Sequence, residues 1–337
     1  MIEIRDLNLH YAGEDKPVWA LRDLNLSLKG GVSYGVLGES GCGKSTLAMA
    51  ILRLLPADVK ISGEILFEGR DLLSLSDQEL RAIRWKEMAV VFQASMNQLS
   101  PVHRVRDQIR DVYRVHVPEA RNQEIDKKVL ELFARFNLNE KSYKAYPHEL
   151  SGGMMQRVSI ALSLLHDPKL LIMDEATTAL DVMTEQQILD ELLALEKDKN
   201  FLRLSITHDV SVVSKSCEEV LVMYGGHVVE QGKVRELFNT PRHPYTKALL
   251  ESFPDLSRRG ERLQGITGSL LDLREKGPAC AFAERCPYAQ EACFEEALSM
   301  TEENGRYLLC HYPLAEDEPS KSMARISSLD EQEEADE

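Results

Sequence analysis

Gly35–Thr46 reads GVLGESGCGKST. An apolar run ends in a glycine-rich turn, and a helix-forming run follows from Lys44 to about Leu54. Gly38, Gly43, Lys44 and Ser45 fill the pattern G-x-x-x-x-G-K-[ST]. Residues without a Cβ let successive backbone N–H groups converge on phosphate oxygens. Lys44 supplies charge, Ser45 reaches Mg²⁺, and the helix start adds the positive end of its dipole. The candidate phosphate-binding set is therefore Gly38, Glu39, Ser40, Gly41, Cys42, Gly43, Lys44, Ser45 and Thr46. Cys42 reads as filler inside this loop. A chance glycine turn is the bland alternative, and the flanking strand and helix argue against it.

Outward from the loop, IEIRDLNLHY and LRDLNLSL alternate apolar and polar residues as half-buried strands do. ISGEILFEG predicts a strand and hairpin, and MAVVF (Met88–Phe92) a buried strand. From Gln93 to about His166 the pattern is helical, with Ile125, Val129, Leu132, Phe133 and Phe136 on one apolar face. KLLIMD (Lys169–Asp174) predicts a further buried strand and TEQQILDELLALEKD a helix. FLRLSIT, EEVLVMY and GHVVEQG predict three more strands. Strands alternating with helices give an α/β fold with a mainly parallel sheet. Asp174 ends its strand and is placed to hold Mg²⁺. Glu175 beside it is placed to polarise an attacking water as general base. Helix capping is the plainer role for such a carboxylate pair.

LSGGMMQR (Leu150–Arg157) opens a second helix with Ser151, Gly152 and Gly153, giving a second anion-binding end. The following VSIALSLL is apolar almost all round and belongs in a core. Two phosphate-binding helix ends are both used if two copies sandwich the nucleotide. Ser151 of one copy then faces the γ-phosphate held by Lys44 of the other. Alone, the octet also fits an ordinary serine-capped helix.

The 337 residues suffice for one sizeable core and a smaller unit. The net charge of −15 argues against a broad nucleic-acid-binding surface. Residues 316–337 carry nine acidic and two basic side chains and read as a disordered acidic tail. No apolar run is long enough to cross a bilayer. The opening MIEIRDLNLHYAG lacks the basic and apolar regions of a leader, which predicts a cytosolic setting with reduced thiols.

From Met1 to about Leu250 the chain resembles the ATPase subunit of an ABC transporter, element by element. The resemblance implies that Tyr11 stacks on adenine, which asks only for a π-face. It makes Gln93 in VVFQ the glutamine that touches Mg²⁺ and water, and Asp181 in TALD part of the loop across the dimer seam. His208 in SITHD becomes the switch histidine at the γ-phosphate. As bare residues, Tyr11 and His208 are a strand-end tyrosine and a satisfied histidine. The catalytic set implied is Glu175, His208 and Gln93; the Mg²⁺ set is Ser45, Gln93 and Asp174. The fold expected is an ABC-type P-loop ATPase domain over 1–240, with an antiparallel β part and a helical subdomain at about 94–166. A small irregular C-terminal extension over 241–315 and the tail complete the chain.

Within that family the sequence is most similar to the dipeptide/oligopeptide/nickel permease group. FQASMNQLSPVHRV resembles the group's extended glutamine loop, with Ala94, Ser95 and Ser100 where Asp, Pro and Asn are usual; Ala176 likewise stands where proline is usual. TPRHPYTKALLESFP resembles the start of the group's extension; its HPYT alone reads as a turn. Cys280, Cys286, Cys293 and Cys310 follow as C-x5-C-x6-C-x16-C. This is neither the tight pairing of structural zinc sites nor ferredoxin spacing. The resemblance implies a [4Fe–4S] cluster, with zinc or free thiols as alternatives. Such a cluster is expected to lie far from ATP and to fold a segment too poor in apolar groups to fold alone. Cys42 and Cys217 stand outside it.

What the resemblance implies is an ATP-driven importer of oligopeptides or dipeptides. Its expected partners are a paralogous ATPase subunit in a heterodimer, two transmembrane permeases and, indirectly, an extracytoplasmic binding protein; nucleic acid is not among them. The expected place is the cytoplasmic face of the membrane, peripherally bound. Nickel or oligosaccharides are alternative cargoes, and a homodimer is an alternative assembly. A soluble ABC ATPase acting on ribosomes or DNA would carry two nucleotide domains or coiled-coil arms, and this sequence has neither. An Fe–S oxidoreductase lacks support, because GESGCGK is not G-x-G-x-x-G.

Overall fold

The computed structural model describes residues 1–92, 99–177, 180–253, 265–275, 277–303 and 305–315. Gln93 to Gln98, Thr178 and the acidic tail lie outside the described residues.

Among the described residues, twelve strands form two sheets. The first four in sequence after the N-terminus are β1 (Ile2–Tyr11), β2 (Val18–Leu28), β3 (Ser33–Leu37) and β4 (Lys60–Phe67). Then come β5 (Arg70–Asp71), β6 (Met88–Phe92), β7 (Leu170–Asp174) and β8 (Leu202–Ile206). Last are β9 (Glu219–Tyr224), β10 (His227–Lys233), β11 (Thr301–Glu303) and β12 (Arg306–Leu308). A four-stranded antiparallel sheet has the order β2-β1-β4-β5, and an eight-stranded sheet the order β11-β12-β10-β9-β3-β8-β7-β6. From β9 to β6 every pairing is parallel. β3 is thus interior to the sheet and fully buried, which explains why its sequence is continuously apolar instead of alternating. Its C-terminal end delivers the chain into the glycine loop, the position where open α/β sheets bind ligands.

Three apolar clusters hold the layers together. One lies between the two sheets around β1, β3 and helix Lys44–Ile51. A second packs helices Val105–His116, Asn122–Arg135 and Gly152–Ser163 over the strands; Ile125, Val129, Phe133 and Phe136 are buried in it and Leu132 is partly buried. The third joins β9, β10 and helix Pro244–Glu251 to the C-terminal segment through Phe282, Ala283, Cys280 and Cys293.

That third cluster departs from expectation. The segment after Thr240 is not merely irregular, because β12 pairs antiparallel with β10 (Glu230 opposite Leu308, Gln231 opposite Tyr307) and β11 with β12. It also brings its own apolar anchor: Phe282 is 1% exposed and stacks edge-on against Tyr224 and Tyr245. Glu230, completely buried, is satisfied by Arg306 Nε at 3.0 Å and by the backbone N–H groups of Arg242 (2.9 Å) and His243 (3.1 Å). A buried carboxylate is tolerable only with such a full complement of donors.

Candidate active site

The glycine loop leaves β3 and curls back over its own lysine. Lys44 is buried, and its Nζ donates to the carbonyls of Gly38 (2.7 Å) and Glu39 (2.9 Å). The ammonium thus holds the loop in the shape in which its N–H groups can meet an anion. Gly38, Gly41 and Gly43 have φ of +153°, +79° and +110°. At Gly43 a Cβ would stand 2.5 Å from the Ala20 carbonyl oxygen, so the requirement is steric as well as conformational. Gly43 caps helix Lys44–Ile51, whose first turn carries no acidic side chain. The Cys42 thiol is buried, and burial pushes its pKa up despite the nearby Lys44, in keeping with a filling role. The Tyr11 hydroxyl lies 3.3 Å from Thr46 Oγ1, which puts the ring at the edge of the loop.

The ends of β7 and β8 bring three further predicted residues to the loop. The Ser45 hydroxyl donates to Asp174 Oδ1 at 3.1 Å, pairing two candidate Mg²⁺ ligands across 129 residues of sequence. Burial, followed by the charge of Glu175, raises the pKa of Asp174, while the Ser45 hydrogen bond and Lys44 oppose that. A divalent cation beside it would offset this desolvation. Glu175 sits in the left-handed region at φ +50°, its N–H donating to the Ile206 carbonyl at 2.8 Å. This conformation costs a non-glycine residue energy and is found at sites that need a side chain aimed out of the regular path. His208, following β8, places Nδ1 3.6 Å from Glu175 Oε1 and remains 65% exposed. Lys44, Ser45, Asp174, Glu175 and His208 therefore form one constellation.

Ser151, Gly152 and Gly153 are held elsewhere. Ser151 caps helix Gly152–Ser163 by accepting from the Met154 N–H at 3.3 Å, and is itself exposed. Among the described residues no hydrogen bond links it to the Gly38–Thr46 loop. Its helix is nevertheless tied to the end of β7, since buried Gln156 donates to the Ala176 carbonyl just beyond Glu175. Asp181 caps helix Val182–Lys199 by accepting from the Thr184 N–H at 2.9 Å. The two residues after it, Val182 and Met183, are 79% and 72% exposed. An outward-facing serine–glycine end and an exposed apolar pair on the neighbouring helix start leave this face open to a partner.

All six cysteines are free thiols. Cys280, Cys286, Cys293 and Cys310 line one small cavity together with His243 and Phe282. Burial first, and then the neighbouring thiols, push Cys280 up to about 11 and Cys310 up to about 12. Four thiols in one apolar pocket are a donor set for a soft metal or a cluster. The pocket offers only about 10 Å³, however, and among the described residues no three His, Cys, Asp or Glu side chains are close enough to share an ion. Binding a cluster would require the cysteine side chains to turn and the pocket to open.

Two residues of the nucleotide loop's surroundings went unread in the sequence. Tyr245, in the HPYT stretch, accepts a hydrogen bond from the Glu39 N–H at 2.9 Å, and Arg285 pairs with the Glu39 carboxylate. The cysteine segment is thus in contact with the phosphate loop, not remote from it. The HPYT match covered Tyr245 without giving it this role, and nothing singled out Arg285.

Comparison with known proteins agrees with this geometry. A family model described as "ABC transporter" matches residues 21–178, and one described as "Oligopeptide/dipeptide transporter, C-terminal region" matches residues 229–293. A peptide ABC transporter ATP-binding protein of Sinorhizobium fredii is 44% identical over 307 residues, covering 90% of this chain and 91% of that protein. The oligopeptide transport ATP-binding protein OppD of Salmonella typhimurium is 39% identical over 317 residues, covering 94% and 95%. Among solved structures, the dimeric post-hydrolysis state of the ATP-binding cassette MJ0796 bound to ADP and Pi superimposes with a TM-score of 0.64 at 29% identity. That match covers 70% of this chain and 99% of the cassette.

Proposed function

The chain belongs to the ATP-binding subunits of ABC transporters that carry the oligopeptide/dipeptide C-terminal region, and on that premise we propose that it powers peptide import. As a member of that family it is an ATPase. The observation that carries the reading is the convergence of Lys44, Ser45, Asp174, Glu175 and His208 at the ends of β3, β7 and β8.

In this reading the loop Gly38–Thr46 cradles the phosphates, and Tyr11 offers its ring to the base. Ser45, Asp174 and Gln93 would hold Mg²⁺, which when bound would neutralise charge on the phosphates. Glu175 takes a proton from the attacking water, and His208 orients the γ-phosphate side of the pocket. Ser151, Gly152, Gly153 and Asp181 act on the nucleotide of the opposite subunit. Hydrolysis releases that subunit, and the separation of the two halves is the mechanical output.

The division of labour follows: residues 1–240 are the motor, 241–315 the family-specific extension and 316–337 an acidic tail. No described helix is long and apolar enough to cross a membrane. The work is therefore delivered to two transmembrane permeases from their cytoplasmic face, with a paralogous ATPase as the second half of the dimer and an extracytoplasmic protein presenting the peptide. The names of the relatives support peptide cargo. Cys280, Cys286, Cys293 and Cys310 are the residues that would hold a [4Fe–4S] cluster once their side chains turned and the pocket opened, and such a cluster would tie the extension together. Iron and acid-labile sulfide after anaerobic purification, with broad visible absorption, are expected; equimolar zinc, or four readily alkylated thiols without metal, would exclude it.

Complementation tests the paired site. Lys44→Ala and Ser151→Ala should each be inactive, and mixing them should restore one intact pocket and part of the wild-type rate. If the wild type turns over alone and the mixture stays dead, the shared pocket is wrong. If turnover requires the paralogous subunit, the same mixing is done between the two chains.

A further inference from the structure

Glu39, the residue after the first loop glycine, is held by the C-terminal segment from behind. Arg285 Nη1 donates to Glu39 Oε2 at 2.7 Å and Nη2 to Oε1 at 3.1 Å, a forked pair. The Arg285 side chain is 5% exposed and that of Glu39 25%. Arg285 is itself immobilised. Its Nε donates to the Thr267 carbonyl (2.9 Å), Nη2 to the Ile266 carbonyl (3.1 Å) and Nη1 to the Tyr224 hydroxyl (3.2 Å). The Glu39 N–H donates to Tyr245 Oη, and its carbonyl accepts from Lys44 Nζ. Each polar group of this loop residue is therefore fixed, two of them by residues of the extension and the third by the phosphate-binding lysine.

We propose that Arg285 is a positioning residue for the nucleotide loop, and that through it the Cys280–Cys286 turn sets the affinity for ATP. The inference rests on reading Gly38–Thr46 as the phosphate loop. Two effects act in one direction. Arg285 neutralises a partly desolvated carboxylate at the mouth of a site built for a polyanion, where an unpaired negative charge would repel the phosphates. It also pins the loop in the shape whose N–H groups receive them. The coupling to the cysteines is mechanical. Arg285 ends the short turn Ala283–Arg285, whose backbone is tied to Cys280 (Ala283 N–H to Cys280 O, 3.0 Å) and to Cys286 (Cys286 N–H to Ala283 O, 3.2 Å). Cys280 in turn donates its N–H to the Cys293 carbonyl at 2.8 Å. Whatever the four sulfurs hold, a change there displaces the arginine that faces Glu39.

The test titrates full-length protein with a fluorescent ATP analogue in Mg²⁺ and follows turnover in parallel. Arg285→Met should bind about tenfold more weakly, with KM rising by a like factor and kcat little changed. Arg285→Met/Glu39→Gln should recover part of the affinity, because the stranded charge is gone while the pinning is still lost; a purely structural role would make the double variant as weak as the single one. Cys286→Ser should weaken binding in the wild-type background and leave the double variant unmoved. Wild-type affinity in Arg285→Met, no recovery in the double variant, or an equal effect of Cys286→Ser in both backgrounds overturns the proposal. A wild type that binds no nucleotide removes the underlying reading of the loop and the proposal with it; unfolding, seen by circular dichroism, separates a collapsed variant from a weak binder.

Discussion

Arg203 on β8 is completely buried, and the carboxylate of Glu196 in helix Val182–Lys199 lies against it. Nη2 reaches Glu196 Oε2 at 3.4 Å while Nε bonds Oε1; Nη1 donates to Ser205 Oγ at 2.7 Å and Nη2 also to the Ser216 carbonyl. Burial lifts the Glu196 carboxyl above its ordinary range even with Arg203 beside it, so desolvation consumes much of what the attraction supplies. Glu196→Ala should therefore be expensive for one reason: it strands a buried guanidinium. Uncompensated buried charges of this kind cost roughly 3–5 kcal/mol. Two of the guanidinium's partners, Ser205 and Ser216, survive the substitution, which puts the expectation near the lower end, about 3 kcal/mol. At about 2.1 cal/mol/K of unfolding entropy per residue, a chain of 337 residues should then lose on the order of 4 °C in Tm. Glu196→Leu/Arg203→Met, which removes both charges and keeps the volume, should return to within about 1 kcal/mol of wild type or exceed it. Urea titration and calorimetry of the nucleotide-free protein read both numbers. A single variant within 1 kcal/mol of wild type, or a double variant no better than the single one, refutes the reasoning.

Glu175→Gln should retain ATP affinity and lose about 10²–10⁴ of the turnover rate; single-turnover hydrolysis at the wild-type rate would remove the general-base role. Asp174→Asn should raise the Tm of nucleotide-free protein. The folded pKa of Asp174 is raised by burial first, so its favourable contribution is complete at acid pH and is lost as pH rises through that raised value. The ionised group thus costs stability at neutral pH, and the gain, roughly 0.5–2 kcal/mol, should appear at pH 8 and vanish in acid, while Mg²⁺-dependent ATP binding is lost. A Tm that falls at pH 8 contradicts this. Gly43→Ala forces a Cβ to 2.5 Å from the Ala20 carbonyl at φ +110°; a loss of about 2–3 kcal/mol and of nucleotide binding is expected in unfolding and titration experiments, and a stable, binding variant would show that the loop has another way to close.

The sequence disclosed what is encoded locally. MAVVF is a strand over the same five residues, Met88–Phe92, and the strand–glycine loop–helix order around Lys44 stands as read. Periodicity found these elements because a buried strand and an amphipathic helix each imprint a pattern on adjacent residues. What it could not disclose is pairing over long separations. Arg285 meets Glu39 across 246 residues and Tyr245 meets it across 206, and neither contact leaves a periodic trace. The strands β11 and β12 are only three residues each, and Thr301–Glu303 is wholly exposed, so no alternation marks them. The HPYT stretch shows the same limit. Its histidine accepts from the Tyr245 N–H through Nδ1 and so starts a helix, where composition alone suggested a turn. Gln93, assigned by resemblance, lies outside the described residues.

The hairpin of β11 and β12 has a consequence for how this protein can be cut. It covers the flank of β10, and Arg306 from it supplies the counter-charge to the fully buried Glu230. A fragment trimmed at residue 293, where the recognisable C-terminal region ends, would lose both at once. It would present unsatisfied backbone groups along β10, an invitation to pair with its neighbours, and would leave the buried Glu230 carboxylate without its arginine. This hairpin is thus a guard on solubility, and shortened versions of the molecule should come out of cells as aggregates even though every nucleotide-binding residue is still present.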